Sequence, residues 1–424
     1  MTDSRLTPAQ LRQNLFLNCG HEFFWGFAVA FHATYAVVPL FLHKLGAPSA
    51  VVLSVAGLFS ILLALPQFFS AIMSRNIHNH KLAVILVHTL VIPPLFTLGF
   101  VFSFFAPTGP SAWIFYYCCF ILYGLAIGII LPVWANFLHL VTNKDSRGAF
   151  LGTSFVFNSV GGFLGGFLLK YLLESNIPFP RNFGFGFFIM ITSLTPGILL
   201  YIWFQMRPNR KPEPDRSFRE YTAEIRSIIT TAHGFRRYIL ARIFFTANFP
   251  AVSMYAVYMQ EKFNFAISEA GVFTVLNVIS FGLGSFTVGR LGDKLGHKTG
   301  MALAITAHLV AIGVALFAQS MIQVYIVFLA LGYGMGAFLP SSMNLMYDFA
   351  EGRDTKIYMA LIDTSLAPFT VLMIILASFV TSLFGTVYLF LGTGVLVLIA
   401  LFLLIFWVKD PKIQHRDIPL STQL

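Results

Sequence analysis

The sequence predicts an all-α membrane protein: twelve transmembrane helices in two pseudo-symmetric six-helix bundles. Three observations carry that prediction. First, the 424-residue chain is 57% hydrophobic and 10% charged, where a soluble domain carries roughly 25% charged residues. Second, twelve apolar stretches are long enough to cross a bilayer, for which about 20 residues suffice. Third, one segment occurs twice. Gly124 to Asn136 reads G-x3-G-x2-L-P-x3-N, and in Gly332 to Asn344 the residues Gly332, Gly336, Leu339, Pro340 and Asn344 recur 208 positions later. Duplicated halves with a site between them are a sequence signature of secondary transporters.

The spans are expected at 14–42, 47–73, 82–105, 111–140, 149–173 and 182–204 in the first half. In the second half they are expected at 237–261, 267–289, 299–318, 321–348, 358–380 and 384–408. Residues 1–12 are polar, and the apolar run after them is too long for a cleavable signal and lacks a small-residue cleavage site. The first helix is therefore expected to act as its own insertion signal. Cys19, Cys118 and Cys119 all fall inside spans, which argues for buried thiols acting as small hydrophobes and against a disulfide framework.

The net charge of +10 is explained by its distribution, with no nucleic-acid partner required. With the N-terminus in the cytoplasm, only Lys44, Lys170, Arg181 and Lys262 lie on the opposite side and only Arg242 lies well inside a span. The remaining Lys and Arg are cytoplasmic. This is the positive-inside bias, and it places both termini in the cytoplasm. The short loops and termini suggest the plasma membrane (inner membrane) of a bacterium. The longest polar stretch, 205–236, opens with a Pro-rich, charged linker from Arg207 to Asp215. Phe218, Tyr221, Ile225, Ile228 and Ile229 then recur at helical spacing, which predicts an amphipathic helix on the cytoplasmic membrane surface. The expected organisation is a bundle over 1–204, a linker over 205–236, and a second bundle with its tail over 237–424.

After the eighth span the chain reads Gly289-Arg290-Leu291-Gly292-Asp293-Lys294-Leu295-Gly296-His297-Lys298. This resembles the G-x-L-x-D-R-x-G-R-K loop motif of the major facilitator superfamily. The twelve spans, the six-plus-six repeat and the long central loop extend the resemblance over nearly the whole chain. The resemblance implies a conformational lock at Gly289, Asp293, Lys294 and Gly296, where a carboxylate pairs with a base in one of two states. A tight turn with no such role is the alternative. The matching loop of the first half, Ser70 to Lys81, lacks the glycines and carries Ser74 in place of the acid. A second loop pair, Asp145-Ser146-Arg147 and Asp354-Thr355-Lys356, reads as cytoplasmic clamps. The fifth span has Gly161, Gly162, Gly165 and Gly166 without a proline among them, only part of the family's exporter pattern, so drug efflux gains no support.

Ionisable groups within spans are costly and mark pathways or partners. Glu22 in the first span, Arg242 in the seventh and Asp363 in the eleventh stand out, with Glu22 and Arg242 at the same 220-residue offset that aligns Tyr35 with Tyr255. In the resembled fold the first and seventh helices line the central cavity. The three are expected to form a charge network below the substrate site. Glu22 or Asp363 is a candidate carrier of a coupling proton, because low dielectric disfavours a carboxylate that has lost its partner. The ordinary alternative is interfacial residues snorkelling to water. His32, near the middle of the first span, is a further candidate for substrate binding or titration. His21 falls about 100° round the helix from Glu22. His88 and His308, on peripheral helices, read as structural. Asn136 and Asn344 close the repeated motif as amide ligands or packing groups, and Pro132 and Pro340 are candidate hinges. Trp25, Tyr35, Trp134, Asn248 and Tyr255 are further candidate cavity residues.

No phosphate loop, clustered metal ligands or nucleophile elbow is present in the sequence, so neither an enzyme, a cofactor nor a metal is expected. The reading is secondary transport of a small organic solute by alternating access. Protons are a candidate coupling ion, a monomer is expected, and uptake and efflux remain open. A receptor or scaffold that kept the fold and lost transport is the alternative.

Overall fold

A computed structural model describes residues 5–73, 79–143, 146–207, 218–350 and 355–410; within these, the side chains of 67–73, 148, 218–222, 293–294, 355–356 and 360 lie outside the description. Among the described residues there is no β-strand, and twelve helices are long and apolar enough to cross a membrane. They run Pro8–Lys44, Ser49–Pro66, His80–Phe105, Pro110–Val141, Ala149–Glu174, Arg181–Trp203, His233–Phe263, Glu269–Gly292, His297–Phe317, Met321–Ala350, Ile357–Phe384 and Thr386–Trp407. Each expected span has its helix.

The ends differ where local chemistry extends a helix past its apolar stretch. The first begins at Pro8, six residues before its apolar run. Thr7 accepts from the Gln10 backbone N–H while the Gln10 side chain accepts from Thr7. This reciprocal cap, with proline at the first helical position, starts a helix in polar sequence. Phe218–Thr231 is helical as expected, with Ile228 fully buried.

Proline sets the breaks within spans. The first span is α-helical over Pro8–Val29, tightens to a 3-10 turn over Ala30–His32, and restarts at Val37. In a continuous helix the Pro39 ring would collide with the Tyr35 carbonyl, and the break lies just before it. The seventh span breaks the same way, between Phe245 and Asn248, with Pro250 four residues after Thr246. By contrast, the helices Pro110–Val141 and Met321–Ala350 run unbroken through Pro132 and Pro340. Pro340 cannot donate to the Gly336 carbonyl, and Ser285 Oγ on the eighth span donates to it instead, at 2.8 Å.

The glycines of the repeated motif have one purpose in both copies. A Cβ on Gly124 or Gly128 would strike Leu62, Leu63 and Pro66 of the second span. One on Gly332 or Gly336 would strike the carbonyls of Asn277 and Phe281 on the eighth. Fourth and second, and tenth and eighth, approach at backbone distance.

The chain divides into two compact units: Met1–Pro48, Phe59–Pro214 and Phe265–Val275 form one, and Ser49–Leu58, Asp215–Asn264 and Leu276–Leu424 the other. Both expose stripes of large apolar side chains. Leu391, Val395, Leu398 and Phe402 recur at helical spacing on the twelfth span, each half or more exposed except Leu391 at 48%. Such a surface is stable only against lipid. The protein is a multi-pass membrane protein.

Candidate functional site

In the first unit, the first and fifth spans meet along a glycine seam. A Cβ on Gly161 or Gly165 would overlap the carbonyls of Phe23 and Phe27, and one on Gly26 would overlap that of Asn158. This approach sets Asn158 against Glu22. Glu22 is 4% exposed and accepts a hydrogen bond from Asn158 Nδ2 at 2.9 Å. One turn earlier, Cys19 Sγ lies 3.9 Å from Ser154 Oγ. Asn18, on the same helix face as Glu22, is fully buried, and neither of its amide atoms has a hydrogen-bond partner among the described residues. Its burial and its lack of partners make Asn18 a further candidate beside Glu22. An Asn four residues before a membrane carboxylate was the signal available for it in the sequence.

The histidines of this unit serve mainly to tie helices together. His21 Nδ1 lies 3.1 Å from the Gly197 carbonyl and His88 Nδ1 2.7 Å from that of Val84, so both nitrogens carry their proton. Tyr201 Oη then sits 3.0 Å from His21 Nε2 and 3.2 Å from His88 Nε2. The three rings link the first, third and sixth spans, with Trp25 packed at 5.8 and 5.6 Å from the two imidazoles. His32 is enclosed by the fourth span: Tyr116 Oη is 2.9 Å from its Nε2, and the Tyr123 ring lies 4.8 Å away. Tyr35 is buried, and Thr274 Oγ1 donates to the Ala270 carbonyl at 2.8 Å. Trp134 packs on the cluster that contains Phe137 and Tyr201, and Asn136 is half-buried.

In the second unit, Arg242 is 9% exposed. Its Nη1 donates to Tyr238 Oη at 3.1 Å and to Ser342 Oγ at 2.9 Å, and its guanidinium lies 4.4 Å from the Phe338 ring centroid. Asp363 is half-buried and feels the Arg242 charge without an ion pair within 4 Å among the described residues. No hydrogen bond or ion pair joins Arg242 to Asp363 among the described residues. Asn248 Nδ2 lies 2.9 Å from His308 Nδ1. Tyr255 is fully buried and stacks on Phe390 at 5.0 Å. Asn344 is half-buried.

The seventh span thus carries a column of buried polar side chains with capacity to spare. Arg242 Nε, Asn248 Oδ1 and Tyr255 Oη have no hydrogen-bond partner among the described residues. Asn248 and Tyr255 are two turns apart and share a helix face. Buried polar atoms are normally paired, and these three lie on the two helices of one span, Arg242 before its break and Asn248 and Tyr255 after it. No group of three His, Cys, Asp or Glu with metal-binding geometry occurs among the described residues.

No curated protein sequence matches the chain. Residues 238–421 match the family model of the Major Facilitator Superfamily. Among solved structures, a variant of the nucleoside transporter NupG matches with a TM-score of 0.70 at 12% identity, over 94% of this chain and 100% of that one. A POT family transporter in complex with 5-aminolevulinic acid gives 0.69 at 14% identity, over 94% and 96%. A D-xylose-proton symporter gives 0.68 at 13%, over 96% and 99%. The chain has the major facilitator superfamily fold. The likeness read from the loop Gly289 to Lys298 is borne out.

Within that major facilitator fold, Gly296 adopts φ +88° at the start of the ninth span, a conformation that favours glycine. The acid beside it comes from an unforeseen place. Asp410, beyond the twelfth span and 7% exposed, accepts from the Lys298 backbone N–H at 3.2 Å and occupies the space a Cβ on Gly296 would need. Gly289 has open space around it. The side chains of Asp293, Lys294 and Lys356, and all of Asp145 and Asp354, lie outside the described residues. Arg147 donates to Thr142 Oγ1 at 3.0 Å and bonds His139 Nδ1 at 2.9 Å.

Proposed function

We propose that the protein is a secondary active transporter that moves a small organic solute by alternating access, with protons as the coupling ion. The observation that carries this reading is the column of unsatisfied buried polar atoms on the seventh span, Arg242 Nε, Asn248 Oδ1 and Tyr255 Oη. Its donors and acceptors suit a solute with several hydrogen-bonding groups. The structural neighbours named as a nucleoside transporter and a D-xylose-proton symporter fit such a solute. Glu22 is the coupling carboxylate in this reading: among the described residues its one hydrogen bond is to a neutral amide, and a lone buried charge is costly. Asp363 and Arg242 form the partner switch. The two halves, 1–204 and 237–424, are the rocking bodies and 205–236 their tether. Both termini face the cytoplasm across a plasma membrane, and the monomer is the working unit.

The test is transport by the purified protein in proteoliposomes carrying an imposed pH gradient, screened over sugars, nucleosides and short peptides. One solute should accumulate with the gradient and acidify the lumen. If no solute moves and none shifts the melting temperature, the receptor or scaffold reading takes its place. Glu22→Gln should keep solute exchange at zero gradient and lose gradient-driven accumulation. Unchanged accumulation would remove Glu22 from the coupling role.

A second expectation concerns closure. Gly166 and Gly271, on the fifth and eighth spans, leave each other no room: a Cβ on Gly271 would come within 2.6 Å of the Gly166 carbonyl oxygen and the Lys170 nitrogen. Opening of the extracytoplasmic side requires these spans to part. A leucine at 271 opposes their approach at a cost of roughly 1–3 kcal/mol, which shifts a two-state balance about 5- to 150-fold. Gly271→Leu should therefore depress transport by at least that lower factor while solute binding persists. Wild-type transport in that variant would refute a closing contact here.

A further inference from the structure

The start of the seventh span and the end of the twelfth border an open cleft of about 500 Å³. Three basic side chains line it, His233, Arg236 and Arg237, and no acidic one does. Arg237 lies 5.5 Å from the Trp407 ring centroid and donates from Nη1 to the Trp407 carbonyl at 3.3 Å. Arg236 bonds His233 Nδ1. A guanidinium has five N–H donors, so these contacts leave most of the donors of both arginines for an occupant. One to two turns deeper, Leu240 and Ile243 give the cleft an apolar wall.

The level in the membrane is set by the chain itself. His233 is the first residue of the seventh span and Trp407 the last of the twelfth, so the cleft sits at the boundary between hydrocarbon and water. Tryptophan is enriched at that level. On the topology proposed above, this boundary is the cytoplasmic one, where anionic lipid attracts basic side chains. The occupant must be anionic at one end and apolar at the other. A soluble anion leaves the wall of Leu240 and Ile243 unused. A zwitterionic lipid brings a cation to a basic cluster.

We propose that this cleft binds one anionic phospholipid, its headgroup phosphate held by Arg236, Arg237 and His233 and an acyl chain along Leu240 and Ile243. At roughly fivefold per arginine near a charged surface, two arginines give about a 30-fold preference over a zwitterionic lipid. The test uses the purified full chain and native mass spectrometry with dioleoyl-phosphatidylglycerol or dioleoyl-phosphatidylcholine. One phosphatidylglycerol should be retained at about 30-fold lower lipid concentration than phosphatidylcholine. Arg236→Gln with Arg237→Gln should abolish that preference, and Arg236→Lys with Arg237→Lys should retain most of it. Equal retention of the two lipids, or selectivity intact in the Gln pair, overturns the proposal. So does displacement of the bound lipid by millimolar inorganic phosphate, which would mark a site for a free anion. A photoactivatable phosphatidylglycerol needs no variant: on the wild-type chain it should label peptides spanning 233–243 or the Trp407 region, and labelling confined elsewhere refutes the site.

Discussion

Arg242→Gln is expected to abolish transport and to destabilise the protein by about 2–4 kcal/mol, because a charged donor contributes roughly 1.5–3 kcal/mol per hydrogen bond and its ring contact adds to that. Arg242 holds Tyr238 and Ser342 by hydrogen bonds and lies over Phe338, so its loss leaves two hydroxyls and a neighbouring carboxylate without their cation. The partner argument is tested by a double-mutant cycle. Asp363→Asn alone should cost less, and the pair Arg242→Gln with Asp363→Asn should be more stable than the sum of the single changes by about 0.5–3 kcal/mol. Strict additivity in thermal melts would show that the two residues do not act together. Arg242→Lys should separate charge from geometry: it keeps the charge but loses the planar fork, so stability should recover further than transport.

Gly161→Leu is expected to disrupt the first unit, at a cost of roughly 3 kcal/mol or more. Its Cβ would overlap the Phe23 carbonyl oxygen, which belongs to backbone and cannot rotate away. The matched control is Gly152→Leu on the same span, where nothing lies within 4 Å of the added atom. Size exclusion and thermal melting in detergent should show a folded Gly152 variant and a destabilised or aggregated Gly161 variant. The milder Gly161→Ala should fold, separate Asn158 from Glu22, and alter the pH dependence of transport. Equal stability of the two leucine variants would mean that the spans do not meet along this seam.

Much of the architecture was legible in composition and spacing. A span of about 20 apolar residues declares itself without any tertiary information, and the duplicated motif pointed to two related halves. The motif's glycines could be recognised as unusual, but not what they touched. That depends on which helix lies opposite, and the answer proved the same in both copies: Gly124 and Gly128 on the second span, Gly332 and Gly336 on the eighth. Pro39 and Pro250 were visible in the sequence, yet attention falls more readily on prolines inside the repeat, Pro132 and Pro340. Both helices continue through these prolines, and at Pro340 a neighbouring side chain takes up the freed carbonyl, as Ser285 does for Gly336.

The candidate site divides along the same line. Glu22, Arg242 and Asp363 stand out from sequence because a charge in an apolar span is rare at any position. Their immediate partners, Asn158, Tyr238 and Ser342, are ordinary polar residues with no periodicity to betray them. Asn18 could be singled out by its place four residues before Glu22, but that its amide is unsatisfied is a property of its neighbours. Asp410 lies 114 positions from Gly296 and meets it only through the packing of the ninth and twelfth spans. By itself the sequence determined the medium, the number of crossings, the repeat and the costly charges, because each follows from the solvation of residues along a helix. Tertiary structure alone decided which polar groups are paired, which are left open to a solute, and where helices touch at glycine, because those depend on contacts between spans distant in sequence.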